Sequence, residues 1–284
     1  MMNVNSISGT SHGNQNTASH RPAIPGIYSA NGKIEKTGTD INGTTTSNRG
    51  DIILTDCRAG KPEKPVAIKQ YNGKVILKED CQIQGNVEID LGHAPIEKTT
   101  IKGDLINHNG SCTLHHSHVE NINSSRGTVA LTRSNADSII AHNGNVSLED
   151  HSAVKYDVTL SNGSISIDSS TIGGTLELNS NKMEIGKHSS VHHVKMNCVN
   201  DISVVALSSF RLTRNVKIVI NGIQRFPTTQ PGDAAEKLTQ ILTLKDGAEL
   251  HRVEFNGKNL IMNLEGSAHY TGGEMAGLTI NRVT

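Results

Sequence analysis

The stretch HNGNVSLEDHSAVKYDVTLSNGSISIDSSTIGGTLEL, residues 142–178, decides the reading of this chain. It holds an Asn-Gly pair twice, at Asn143-Gly144 and Asn162-Gly163, each followed by a short apolar-polar-apolar triplet. The triplets are Val146-Ser-Leu148 and Ile165-Ser-Ile167. Upstream, Asn109-Gly110 precedes Cys112-Thr-Leu114, and Arg126-Gly127 precedes Val129-Ala-Leu131. The four glycines are 17, 17 and 19 residues apart. A polar residue lies three positions after each triplet: Ser117, Ser134, His151 and Ser170, with Ser189 as the next member. A small apolar residue follows two positions later, at Val119, Ala136, Ala153 or Ile172. A fixed period of strand and turn units is the mark of a solenoid.

The physical reading is a single-stranded parallel β-helix. Strands of three to five residues cannot bury their edges alone, but stacked turns pair each strand with its equivalents at about 4.8 Å per turn. Residues of one repeat position then form columns. The inward columns are Cys112, Val129, Val146, Ile165 and Leu114, Leu131, Leu148, Ile167. Each buried aliphatic side chain contributes roughly 2 kcal/mol. Asn-Gly suits corners that need φ > 0, and the polar column reads as a hydrogen-bonded corner ladder. An immunoglobulin-like sandwich shares the short strands, but it does not call for equal spacing.

Composition agrees. The 284 residues include no Trp, four Tyr and three Phe, and a narrow aliphatic tube needs no aromatic volume. The formal net charge is zero, which argues against nucleic acid as a partner. No apolar run is long enough to span a membrane. Four cysteines show no paired spacing, and Cys112 reads as a core hydrophobe.

Residues 1–50 are rich in Ser, Thr, Asn and Gly, and their first acidic residue is Glu35. This segment is expected to be a disordered polar leader. The β-helix domain is placed over 51–284, with an insert and helix at 226–246. Pro227 to Gly232 interrupts the repeat. Asp233-Ala-Ala-Glu236 matches a capping box, and Leu238, Ile241, Leu242 and Lys245 follow at helical spacing, so one short helix is expected near 233–245.

On these motifs the chain resembles bacterial right-handed β-helix families. Residues 142–178 resemble the putative-adhesin β-helices, whose turns read x-x-G-x-V-x-L. Ile101-Lys-Gly-Asp-Leu105 and Ile172-Gly-Gly-Thr-Leu176 resemble turns of bactofilin-type polymer-forming proteins. The likeness covers residues from about 70 to 205, and it carries no catalytic residues. The polar leader, the insert and the helix depart from the bactofilin pattern. The N-terminus is similar to the export signal of type III secreted effectors. The resemblance implies a secreted protein, delivered into a host cell, that contacts a protein partner; a cytoplasmic location is the alternative.

Three chemical readings come from the outward columns. Glu149 and Asp168 fall on adjacent turns, as a retaining glycosidase pair would, with Arg133 and Lys187 flanking them. This is the reading as a polysaccharide lyase or hydrolase. His116, His118 and His188 are the candidate metal ligands among 14 histidines. An open coil end invites end-to-end self-association, as in a bactofilin-like scaffold. No cofactor is implied, and the reading leans away from an enzyme. The leading reading is an exported, non-enzymatic β-helix, effector or adhesin-like, that shows a rigid face to a protein partner.

Overall fold

The computed structural model describes residues 21–283, except 64, 180–181, 187–188, 199–203, 209–217, 223–238, 246–248, 251–252, 257–258 and 275. These residues form a parallel β-solenoid of about 11 turns. One sheet of 23 strands runs the length of the coil, and no helix occurs among the described residues. All ladders among the described residues are parallel, as they must be when each turn lies on the next in the same sense.

The columns fall where the repeat puts them. Cys112 pairs with Val129, Val129 with Val146 and Val146 with Ile165. Leu114, Leu131, Leu148 and Ile167 run beside them in the same registers. All eight are buried. The first column extends down to Ala94 and up to Met183. A second inward column runs Val87, Leu105, Ile122, Ile139, Val158 and Leu176. Burial pushes the Cys112 thiol up to about 12, so it stays a neutral, apolar member of its column.

Two kinds of corner bend the turns. The first is a glycine stack of Gly73, Gly92, Gly110, Gly127, Gly144 and Gly163. A Cβ on Gly127 would lie 1.6 Å from the carbonyl oxygen of Gly110. One on Gly144 would lie 1.7 Å from that of Gly127, and one on Gly163 1.7 Å from that of Gly144. The backbones therefore touch where side chains would otherwise stand. Gly127 also holds φ at 111°.

The second corner is a residue in the left-handed region, followed by a small hydroxyl or thiol. The left-handed residues are Gly38, Asp56, Asp80, Lys98, His116, Arg133, Asp150 and Ser169, with φ between 48 and 63° in most turns. The following column is Thr39, Cys57, Cys81, Thr99, Ser117, Ser134, Ser152, Ser170 and Ser189, all buried. Cys81, Ser117, Ser134, Ser152 and Ser170 each accept from the backbone N–H one turn below and donate to a carbonyl in their own corner. Ser117 N donates to Ser134 Oγ at 3.1 Å, and Ser134 Oγ donates to Thr132 O at 2.8 Å. Cys57 N donates to Cys81 Sγ at 3.4 Å, so thiols serve the same purpose.

The expected polar ladder is present, but its member in one turn is Ser152 rather than His151. Asp150 and His151 both take positive φ, so this corner holds one extra residue. Glu79 and Asp80 do the same a few turns earlier. The extra residue lifts His151 to the surface and leaves Ser152 to fill the ladder.

Two boundaries also move. Ala23–Ser29, Ile34–Thr37 and Asp40–Ser47 are strands of the coil, so it begins well before Asp51. The polar composition hid them because Thr45 and Ser47 are buried inside the tube, where Val or Leu stands elsewhere. Residues 1–20 lie outside the described residues. Thr239–Lys245 is a strand, not the end of a helix. It pairs with Val204–Ser208 on one side and Asn259–Glu265 on the other. Burial of Leu242 and Leu244 in that ladder outweighs the helical spacing. The capping box at 233–236 lies outside the described residues.

Two consequences follow for stability. Gly127→Ala should destabilise by at least about 3 kcal/mol, because it meets both a backbone clash and a positive φ. Gly144→Ala should cost about 1–3 kcal/mol from the clash alone, and Gly38→Ala, which meets open space at φ 56°, about 1–2 kcal/mol from conformation alone. Denaturant unfolding of the three variants measures the ranking. In the hydroxyl ladder, Ser134→Ala should cost about 1–3 kcal/mol by stranding the Ser117 N–H, and Ser134→Cys distinctly less.

Candidate functional site

The left-handed corner throws its side chains outward, and stacking lines them into a ridge along the coil. Backbone bonds lock the ridge: Lys98 N donates to His115 O at 2.9 Å, and His116 N to Thr132 O at 3.2 Å. Beside it runs the last outward position of each triplet strand, Glu97, His115, Thr132 and Glu149 in register. Asp168 comes next, placed by its N–H bond to Leu148 O at 2.8 Å.

The carboxylate pair of the glycosidase reading therefore does stand on adjacent turns, but both side chains are exposed. Ser147 Oγ donates to Glu149 Oε1 at 2.6 Å. Arg133 does not serve the pair. Its Nε donates to Asp150 Oδ2 at 2.5 Å, one turn along the ridge. Lys187 lies outside the described residues. Exposed in this way, the pair gains from the described residues no shielding from water and no surface to orient a sugar ring.

The histidines separate in a similar way. His115 and His116 meet edge to face, with ring centroids 4.3 Å apart and Nδ1 atoms 2.9 Å apart. The chain turns at His116, whose φ is 50°, and buried Ser117 follows. His118 then begins the next face beside Thr100 and Asn135, so His116 and His118 do not share a strand face. His188 lies outside the described residues. Among the described residues, no three His, Cys, Asp or Glu side chains converge as metal ligands would.

Asp150 is a ridge group whose acidity its neighbours alter. The hydrogen bond from His151 holds its carboxyl below the usual aspartate range, and the Arg133 hydrogen bond and charge add to the effect. The repeat spacing puts Arg133 and Asp150 at one outward position of adjacent turns, which predicts their contact, but counting misses the role of His151, because it cannot locate the extra corner residue. It also missed a polar ladder at another bend. There Asn86 Oδ1 accepts from Asp104 N at 2.9 Å, Asn121 Nδ2 donates to Asp104 Oδ1 at 2.8 Å, and Ser138 Oγ donates to Asn121 Oδ1 at 3.1 Å. Nearer the N-terminal end, Arg21, Arg58, Asp80, Gln82 and Gln84 line an open cleft. Arg21 is engaged there by Asp56, at 2.5 Å.

The fold and this surface define a parallel β-solenoid with a charged, non-repeating corner ridge. Comparison with protein-family models, curated proteins and solved structures returned no match.

The depressed Asp150 carboxyl sets a direction for acid titration. Its folded form favours ionisation, so its contribution is complete above the ordinary aspartate range and fades as pH falls through the lowered value. Because the group is exposed, the effect on stability should be small. In a carbon-detected NMR titration, His151→Ala and Arg133→Ala should each move the Asp150 midpoint upward, while the thermal unfolding midpoint barely changes.

Proposed function

We propose that this chain is a non-enzymatic display coil that presents its corner ridge and the adjoining flat face to a protein partner. One observation carries the reading. Inside the tube most of the chemistry repeats: aliphatic columns and one hydroxyl or thiol column continue turn after turn, beside one column that mixes Ser47, Gln70, Ile89, Asn107 and Ser124. Outside, in the same registers, it changes at each step. The ridge reads Lys98, His116, Arg133, Asp150, Ser169, and its neighbour Glu97, His115, Thr132, Glu149, Asp168. A surface that bound a periodic ligand would repeat with the coil. A varied surface on an invariant scaffold suits an extended partner that is itself non-periodic, such as another protein.

Rigidity supports the same reading. The hydroxyl ladder and the glycine stack fix each corner, so the ridge loses little conformational freedom on binding. We further propose that the protein is bacterial and exported, as an effector or an adhesin-like module. The support for this is the polar, Ser- and Asn-rich start, which has no acidic residue before Glu35.

Two measurements test the reading. The purified protein should leave acidic polysaccharides intact. Depolymerisation that is lost in Glu149→Ala or Asp168→Ala would replace the display coil with the lyase or hydrolase alternative. For export, residues 1–50 fused to a reporter should leave bacteria that carry a type III apparatus and stay inside those that lack one. A reporter retained in both strains removes the effector proposal.

A further inference from the structure

The buried ladder behind the left-handed corner changes chemistry at one place. Its described members are hydroxyls from Thr39 to Ser189, except at Cys57 and Cys81. These two thiols stand on neighbouring turns. Thr55 pairs with Lys78 just before them, and Arg58 with Gln82 just after. Gln82 N donates to Cys57 O at 2.9 Å, so the two backbones are stacked there. A hydroxyl meets the needs of the ladder in the other turns, so hydrogen bonding alone does not call for sulfur at these two.

The placement of the sulfurs adds a second observation. Stacked turns lie about 4.8 Å apart, inside the roughly 4.4–6.8 Å between α-carbons that a disulfide spans. Cys81 Sγ already lies between the two turns. It is 3.4 Å from Cys57 N and 3.3 Å from Leu54 O, both on the neighbouring turn. Cys57 Sγ points the other way, 3.4 Å from Lys36 O. One rotation about χ1 between staggered wells turns it from Lys36 toward Cys81. The hydrogen bonds given up are weak thiol ones. Cys112, also buried, has Ala94 and Val129 as its stacked neighbours and so has no sulfur to meet.

We infer that Cys57 and Cys81 are a disulfide site that staples two turns of the coil in an oxidising medium. Formation breaks two S–H bonds and makes one S–S bond. A small-molecule disulfide takes the two electrons and two hydrogens and is cleaved to two thiols, through a mixed disulfide on one cysteine. Burial holds the Cys81 thiol above its usual range, so exchange is slow in the closed coil and faster while these turns are open. The cysteines are 24 positions apart, so the bond closes a whole turn and constrains the unfolded chain. The site does not depend on the partner proposed for the ridge.

Peptide mapping of the full chain tests it. One reduced sample is kept folded in glutathione disulfide, and a second is unfolded and refolded in it. Free thiols are then capped under denaturing conditions. Tryptic digestion without reductant should join residues 50–58 to residues 79–98, two hydrogens lighter than the separate peptides. Cys112 should be recovered as a capped thiol. The cross-linked chain should unfold roughly 5 °C or more above the reduced one. Cys57→Ser/Cys81→Ser should fold, because serine serves the ladder elsewhere, and its unfolding midpoint should not respond to glutathione disulfide. Capped Cys57 and Cys81 in samples that circular dichroism shows folded would overturn the inference. So would pairing of either cysteine with Cys112 or Cys198, or a cross-link that fails to raise the unfolding midpoint.

Discussion

Backbone touching backbone at the glycine corner is the contact on which this molecule depends. Where Gly110, Gly127, Gly144 and Gly163 follow one another, carbonyl oxygens occupy the space that any Cβ would need. That contact sets the pitch of the coil at this edge. With the pitch set, equivalent residues must lie over one another, and the aliphatic columns are the consequence. A side chain at one of these positions would wedge two turns apart and disturb the parallel ladders on both flanking faces.

The opposite corner solves the same problem with different chemistry. There the bend is made by non-glycine residues such as Lys98, His116 and Arg133 in the left-handed region. The strain of that conformation is offset by the buried ladder behind it, in which Ser117, Ser134, Ser152 and Ser170 each serve two turns at once. One corner is therefore bare and closely packed, and the other is decorated. The decorated corner, unlike the glycine corner, is free to carry large charged side chains without loosening the stack, which is why the variable ridge lies there. Polar groups inside the tube follow related logic. Asn107 donates to Gly110 O at 3.0 Å and Gln70 to Gly50 O at 2.8 Å, bracing glycine-corner carbonyls from within.

Much of this was legible before any coordinates. The spacing of Gly110, Gly127, Gly144 and Gly163, with the triplets after them, predicts the columns that form. Serine at the corner predicts the ladder. What failed did so for identifiable reasons. Thr45 and Ser47 concealed an early turn because the tube interior accepts small polar residues: Ser47 Oγ donates to Arg49 O and Gly50 O, while the Thr45 hydroxyl is buried without a partner among the described residues. The helical spacing around Leu238 and Leu242 was ambiguous because a short apolar run fits a strand equally well, and neighbouring strands on both sides decided the matter. His151 was placed in the ladder by counting, which cannot see a corner that holds one more residue than its neighbours.

Residue order alone was enough for the fold class, the inward columns and the adjacency of Arg133 and Asp150, because a repeat encodes one local contact many times over. It could not say which candidate side chains face one another across a bend. His116 and His118 are two residues apart yet part at a corner, while Arg133 and Asp150 are far apart in the chain and bonded. Nor could it show that Asn121 sits between Asp104 and Ser138, bonded to both across neighbouring turns. Only the stacked coil decides such pairings, because register between turns sets which side chains meet, and no local pattern contains that information.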